Sequence, residues 1–176
     1  GLNPRRTGLL RALRAMGANI VEENHGLQGG ERVADLRVRH APLHGIEVPE
    51  HLVPDMIDEF PALMVAAACA DGATRISGAA ELRVKESDRL AAMGAGLRTL
   101  GVDIEETPDG ATIVGTRLRE GAIESHGDHR IAMAFAVAAQ CASGPVRIAD
   151  VSNVATSFPG FDRLAADVGF GAFIRA

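Results

Sequence analysis

The chain has 176 residues, 47% of them hydrophobic and 23% charged, which is the composition of an ordinary globular protein with room for one good core or two small lobes. A net charge of −5 without Trp or Tyr excludes a nucleic-acid surface, which needs a basic stripe and stacking rings. The longest apolar runs, residues 62–70 and 131–139, are nine residues each, against the ~18–20 needed to span a bilayer.

Taken in order, the chain opens on Gly1-Leu2-Asn3-Pro4-Arg5-Arg6-Thr7, with neither an initiating Met nor a signal peptide. That opening suits a processed product or a piece of something longer. A helix is predicted over residues 9–16, capped by Gly17 and followed by the strand Ala18-Asn19-Ile20. Asp58-Glu59-Phe60-Pro61 leads into the first apolar run, which reaches Gly72 and the strand Ala73-Thr74-Arg75-Ile76. A helix over residues 87–100 ends at Gly101, then Val102-Asp103-Ile104 and Thr112-Ile113-Val114 read as short β-branched strands. Asp128-His129-Arg130 leads into the second apolar run, which reaches Gly144 and Val146-Arg147-Ile148. A last helix over residues 161–168 ends in Gly169 and a short apolar strand over residues 169–174.

These elements repeat. The two Asp-led stretches begin 70 residues apart, and their closing glycines lie 72 apart. The unit is helix, strand, helix, strand, strand, present about twice behind a partial copy. Its period is too long for a solenoid and predicts pseudo-symmetric α/β units around a shared centre. The Asp-led helices are Ala-rich and lack a polar stripe, so they are expected to be buried on every face. The helix over residues 87–100 carries Arg89 and Arg98 among Leu90, Met93, Leu97 and Leu100, the pattern of an amphipathic surface helix. Cys69 and Cys141 lie in or beside the apolar runs and read as small buried hydrophobes of a reducing compartment.

Chemistry is expected in three places. Arg83-Val84-Lys85-Glu86-Ser87-Asp88-Arg89 holds the only Lys among 18 basic residues, so a compact ammonium there reads either as a chemical choice or as part of a solvated helix start. Asp58 and Asp128 stand where N-caps belong, and Pro61 falls in the first helical turn, where a missing N–H is tolerated. Two buried helices aiming their positive ends side by side also make an anion site. Arg130 opposes its helix dipole by about 0.3–1 kcal/mol. It therefore calls for a partner, either an anionic ligand or a structural carboxylate. His126, Asp128 and His129 are too close in sequence to converge on a metal ion, and no Cys or Glu cluster completes a set.

At these residues the chain resembles a family. Residues 82–90, Asp128-His129-Arg130-Ile131-Ala132-Met133 and Ala155-Thr156-Ser157-Phe158-Pro159 are similar to the C-terminal part of the 3-phosphoshikimate 1-carboxyvinyltransferases, or EPSP synthases. Residues 2–8 and Met56-Ile57-Asp58-Glu59-Phe60-Pro61 resemble two further blocks of it. The resemblance implies an α/β fold of βαβαββ units with the apolar helices inside, three units to a lobe and two lobes to the enzyme. Residues 1–176 would be most of the C-terminal lobe. The implied reaction transfers the enolpyruvyl group of phosphoenolpyruvate to the 5-hydroxyl of shikimate 3-phosphate, in the cytoplasm and on the route to chorismate and the aromatic amino acids. It passes through a tetrahedral ketal and needs neither metal nor organic cofactor.

By the same resemblance, Asp58 is the shikimate-side carboxylate and proton acceptor, and Glu86 is the carboxyl near the phosphoenolpyruvate methylene. Lys85 contacts shikimate 3-phosphate, and Arg89 and Arg130 clamp phosphoenolpyruvate. Some members carry Lys where this chain has Thr156, and some carry Asn where it has Glu81. The cations and polar cluster of the other lobe have no counterpart here, so the isolated chain is expected to be inactive. Two rival readings are a lobe of the sister enzyme acting on UDP-N-acetylglucosamine, and a non-catalytic binding module on the same fold.

Overall fold

Residues 1–171 are described by a computed structural model. Helix α1 (Gly8–Ala15) leads into a long antiparallel hairpin, β1 (Asn19–Gln28) and β2 (Glu31–Arg39). Next come α2 (Phe60–Ala68), β3 (Ala73–Ile76), α3 (Arg89–Thr99), β4 (Asp103–Thr107) and β5 (Gly110–Val114). The third stretch is β6 (Gly121–Glu124), α4 (His129–Ala138) and β7 (Val146–Ala149), followed by the short helices α5 (Ser152–Ser157) and α6 (Phe161–Asp167). The strand predicted over residues 169–174 lies, from position 172 on, outside the described residues.

Strands β3, β5 and β4 pair antiparallel in that order, whereas β6 and β7 are parallel. The chain ahead of α2 extends the first of these sheets, because His44 bridges to Asp71 and Glu47 to Arg75 in the parallel sense. Each of the two units thus enters a buried helix from an extended segment and returns parallel to it. The β4–β5 hairpin completes one βαβαββ unit, and β1–β2 is the same hairpin in the partial copy. The α/β pattern of pseudo-symmetric units is therefore present, one strand longer per unit than the repeat read from the sequence. The β2 strand was not foreseen. Its hairpin turns on Gly29-Gly30, both at positive φ (59° and 86°), as a two-residue primed turn requires.

Three helices stop in the same way. Gly17, Gly101 and Gly169 all have φ near +90°, at 97°, 87° and 89°. In each case the glycine N–H returns to the carbonyl three residues back, and the next N–H returns five back: Ala18 to Leu13, Val102 to Leu97, Phe170 to Ala165. That pair of hydrogen bonds is the Schellman arrangement, built on the left-handed glycine caps that the glycine positions predicted.

The core gathers between the helices. Phe60, Leu63 and Met64 of α2, Leu90, Met93 and Leu97 of α3, and Ile131 and Phe135 of α4 are all buried. Each such side chain contributes about 1.5–3 kcal/mol on burial. Helices α2 and α4 are buried nearly all round, as their composition predicts, leaving Ala62 and Val137 on the outside.

Three expectations need correcting. Helix α3 is not a half-exposed surface helix: it starts at Arg89 behind the cap Asp88, and only Ala95, Arg98 and Thr99 face outward. Arg89 itself is 1% exposed, because a buried carboxylate neutralises it. Asp58 is not an N-cap, since residues Ile57–Glu59 form a 3-10 turn that places Glu59 at the start of α2. The cysteines are exposed rather than buried, because each sits just past the last turn of an apolar helix.

Candidate active site

Helices α2, α3 and α4 pack on one another, and their N-terminal ends bring charged side chains from three chain segments together. Asp58 comes from the 3-10 turn before α2. Lys85, Glu86 and Arg89 come from the approach to α3 and its first turn. Arg130 comes from the first turn of α4, where Asp128 is the cap and accepts the Arg130 backbone N–H at 2.9 Å. Three helix N-termini converge here rather than the two expected, and each adds partial positive charge to the site.

Asp58 is the hub. Its carboxylate lies 3.5 Å from Arg89 Nη1, 3.7 Å from Lys85 Nζ, 3.8 Å from Arg130 Nη2 and 4.0 Å from Arg6 Nη1. Its backbone carbonyl also accepts from Arg130 Nη1 at 3.1 Å. Arg130 further approaches Glu59 at 3.8 Å, so structural carboxylates supply the partner that its position against the dipole demands. Lys85 is also bonded to Glu81, one helical turn earlier. That bond, helped by the charges of Glu81 and Asp58, raises the Lys85 ammonium above its ordinary 10.5. Lys85 is therefore an acid form throughout neutral pH.

Arg89 is the buried element of the group. Its Nε donates to Asp128 Oδ2 at 2.8 Å and its Nη2 to Glu86 Oε2 at 2.5 Å. Asp128 has no exposed surface, and Ser87 Oγ donates to the same Oδ2 at 3.1 Å. Burial alone would push the Asp128 carboxyl up. The hydrogen bond and charge of Arg89, with the Arg130 N–H and the Ser87 hydroxyl, outweigh it and hold the group below the usual carboxylate value.

The five residues singled out in the sequence thus fall in one cluster. Sequence reasoning missed Arg6, Glu59 and Ser87, and it gave Asp128 only a capping role. Arg6 and Glu59 stand inside the quoted motif blocks, but no spacing rule places them beside Asp58. Among the described residues no group of three His, Cys, Asp or Glu side chains is arranged to hold a metal ion. The Glu81 and Glu86 side chains at its rim are 61% and 54% exposed, so the cluster is open to water on that side. Chemically it offers fixed guanidinium and ammonium donors for anions beside ionisable carboxylates for proton transfer.

The repeated βαβαββ units give the chain the fold of the enolpyruvyl transferases. NikO from Streptomyces tendae, an enolpyruvyl transferase, shares the fold at a TM-score of 0.66 and 22% identity, covering 97% of this chain and 36% of that one. Within the class the chain belongs to the EPSP synthase (3-phosphoshikimate 1-carboxyvinyltransferase) family, whose profile matches residues 1–164. It is 73% identical over 171 residues to the 3-phosphoshikimate 1-carboxyvinyltransferase of Xanthomonas oryzae pv. oryzae, covering 97% of this chain and 39% of the relative. The counterpart in Xanthomonas campestris pv. campestris is 71% identical over 175 residues, covering 99% and 40%. An EPSP synthase structure from Acinetobacter baumannii superposes at a TM-score of 0.94 with 49% identity, covering 97% and 40%. The chain therefore spans about two fifths of the length of the relatives it matches. Among the described residues no helix is long and apolar enough to cross a membrane.

Proposed function

We propose that this chain is the C-terminal lobe of a cytoplasmic enzyme that joins phosphoenolpyruvate to shikimate 3-phosphate, and that its cluster is half of the active site. The observation that carries the reading is the convergence of Lys85, Arg89 and Arg130 on Asp58 at three helix N-termini. A dianionic or trianionic substrate needs that density of fixed donors, and proton transfer needs a carboxylate among them.

In this reading Asp58 accepts the proton of the 5-hydroxyl as its oxygen attacks C2 of phosphoenolpyruvate. Glu86, the more exposed carboxyl and the partner of Arg89 Nη2, gives a proton to the methylene carbon. The product of that addition is a tetrahedral ketal. Loss of a proton from the new methyl group and departure of phosphate restore the double bond, so a C–O bond forms and a C–O bond breaks without any redox change. Arg89 and Arg130 hold the carboxylate and phosphate of phosphoenolpyruvate, while Lys85 meets the phosphate side of the acceptor. The other lobe supplies the remaining contacts.

The test is phosphate release by the full-length enzyme containing these residues, with phosphoenolpyruvate and each acceptor in turn. Turnover with shikimate 3-phosphate and none with UDP-N-acetylglucosamine is expected. Turnover with the nucleotide sugar alone, or no turnover with either, would sink the assignment.

A further inference from the structure

We propose that Asp128 is a positioning residue that sets both arginines of the candidate phosphoenolpyruvate clamp, one through its side chain and the other through its backbone; this rests on the functional reading above. The two oxygens of one carboxylate do separate tasks. Oδ2 accepts from Arg89 Nε at 2.8 Å and from Ser87 Oγ at 3.1 Å, while Oδ1 accepts the backbone N–H of Arg130 at 2.9 Å. Capping by itself would need only the second contact, and a serine or asparagine oxygen would supply it as well. A carboxylate without exposed surface meets a different need: it is the counter-charge of an arginine that is itself 1% exposed.

The geometry at Arg89 gives this pairing a consequence. Anchoring the guanidinium at Nε leaves Nη1 and Nη2 as the free end of a planar fork, and these are the nitrogens that face Asp58 and Glu86. Rotation about the side chain would carry that fork off the reacting carboxylates, and the Asp128 contact blocks it. At the same time the cap fixes the first turn of α4, from which Arg130 extends to the Asp58 carbonyl at 3.1 Å. Asp128 touches neither substrate in this reading. It acts through two residues that do.

The experiment uses the full-length enzyme and compares Asp128→Asn, Asp128→Ser, Arg89→Gln and the double variant Asp128→Asn/Arg89→Gln. Asparagine keeps the size and one cap oxygen but removes the charge, and serine keeps only the cap. Displacing a clamp by up to about 1 Å costs as much as about 100-fold, so KM for phosphoenolpyruvate should rise by about 10- to 100-fold in Asp128→Asn. KM for shikimate 3-phosphate should move by less than about threefold, because the hydrogen bonds of Asp128 go to Ser87, Arg89 and Arg130 and not to Lys85, the acceptor-side cation. In the Arg89→Gln background the asparagine should add less than about threefold further. Equal weakening of both substrates, or a full additional loss in the double variant, would overturn the proposal. If neither Asp128 variant folds, the residue is structural and the proposal fails as well. An inactive parent enzyme would instead bring down the functional reading, and this inference with it.

Discussion

At the scale of single residues, Lys85 and Arg130 carry the clearest expectations. Lys85 is a point charge held between Glu81 and Asp58, and a flat, longer guanidinium fork would not put its charge at the same point. In the full-length enzyme Lys85→Arg should therefore lower kcat/KM by at least about tenfold, near 1.4 kcal/mol in the barrier. A change under twofold would make Lys85 an ordinary solvated side chain. Its ionisation has a definite sign. The folded value is raised above 10.5, so its contribution is complete below that pH and lost only as pH rises through the folded value. The pH profile of kcat/KM should accordingly show no lysine limb at neutral pH, and one that vanishes in Lys85→Arg would refute this. Arg130 is paired with the Asp58 carbonyl and with two partly exposed carboxylates, contacts worth little each in water. Arg130→Ala should then leave the melting temperature of the unliganded protein nearly unchanged. Phosphoenolpyruvate should bind about 10- to 150-fold more weakly, with shikimate 3-phosphate far less affected. Calorimetry with each ligand separates the two outcomes.

At the scale of elements, the molecule was legible where one strong signal had no competitor. The apolar runs of α2 and α4 and the three glycines beyond helix ends are of that kind, and each lies where its pattern puts it. Legibility failed where two local solutions fit the same letters. Asp58 reads as a cap, but the 3-10 turn Ile57–Glu59 carries it off the helix end and into the cluster. Asp128 is a cap, which hid its second task, since nothing local shows that Arg89 arrives from 39 positions away. The β2 strand was lost among charges at Glu31, Arg32, Asp35, Arg37 and Arg39, although Gly29-Gly30 was available as a turn signal. The site also depends on how closely α3 meets α4. A Cβ at Gly96 would sit 2.3 Å from Cζ of Phe135, a fully buried ring with nowhere to move. Gly96→Ala would gain about 1 kcal/mol of helix propensity and lose about 1–3 kcal/mol to overpacking. A net destabilisation is expected in a urea melt of the isolated chain. A more stable variant would show that α3 and α4 are less tightly apposed.

At the scale of the whole molecule, the charge on the site face decides what this chain does alone. Four cations, Arg6, Lys85, Arg89 and Arg130, meet five carboxylates, Asp58, Glu59, Glu81, Glu86 and Asp128. The face is thus slightly acidic as it stands, and each cation is already engaged. Phosphoenolpyruvate and shikimate 3-phosphate each bring a carboxylate and a phosphate, so an incoming ligand would displace existing partners and gain little net Coulomb energy in an open, water-filled setting. On the proposed reading, a second lobe closing over this face would change both factors, adding cations and removing water, and so strengthening every remaining pair. The core needs no such help, because the buried side chains of α2, α3 and α4 pack on one another within this chain. The isolated chain should therefore melt cooperatively by circular dichroism, yet bind phosphoenolpyruvate more weakly than about 1 mM and release no phosphate with both substrates present. Turnover near that of the full-length enzyme would mean that the cluster is a complete site, and that the acid excess on its face does not govern binding.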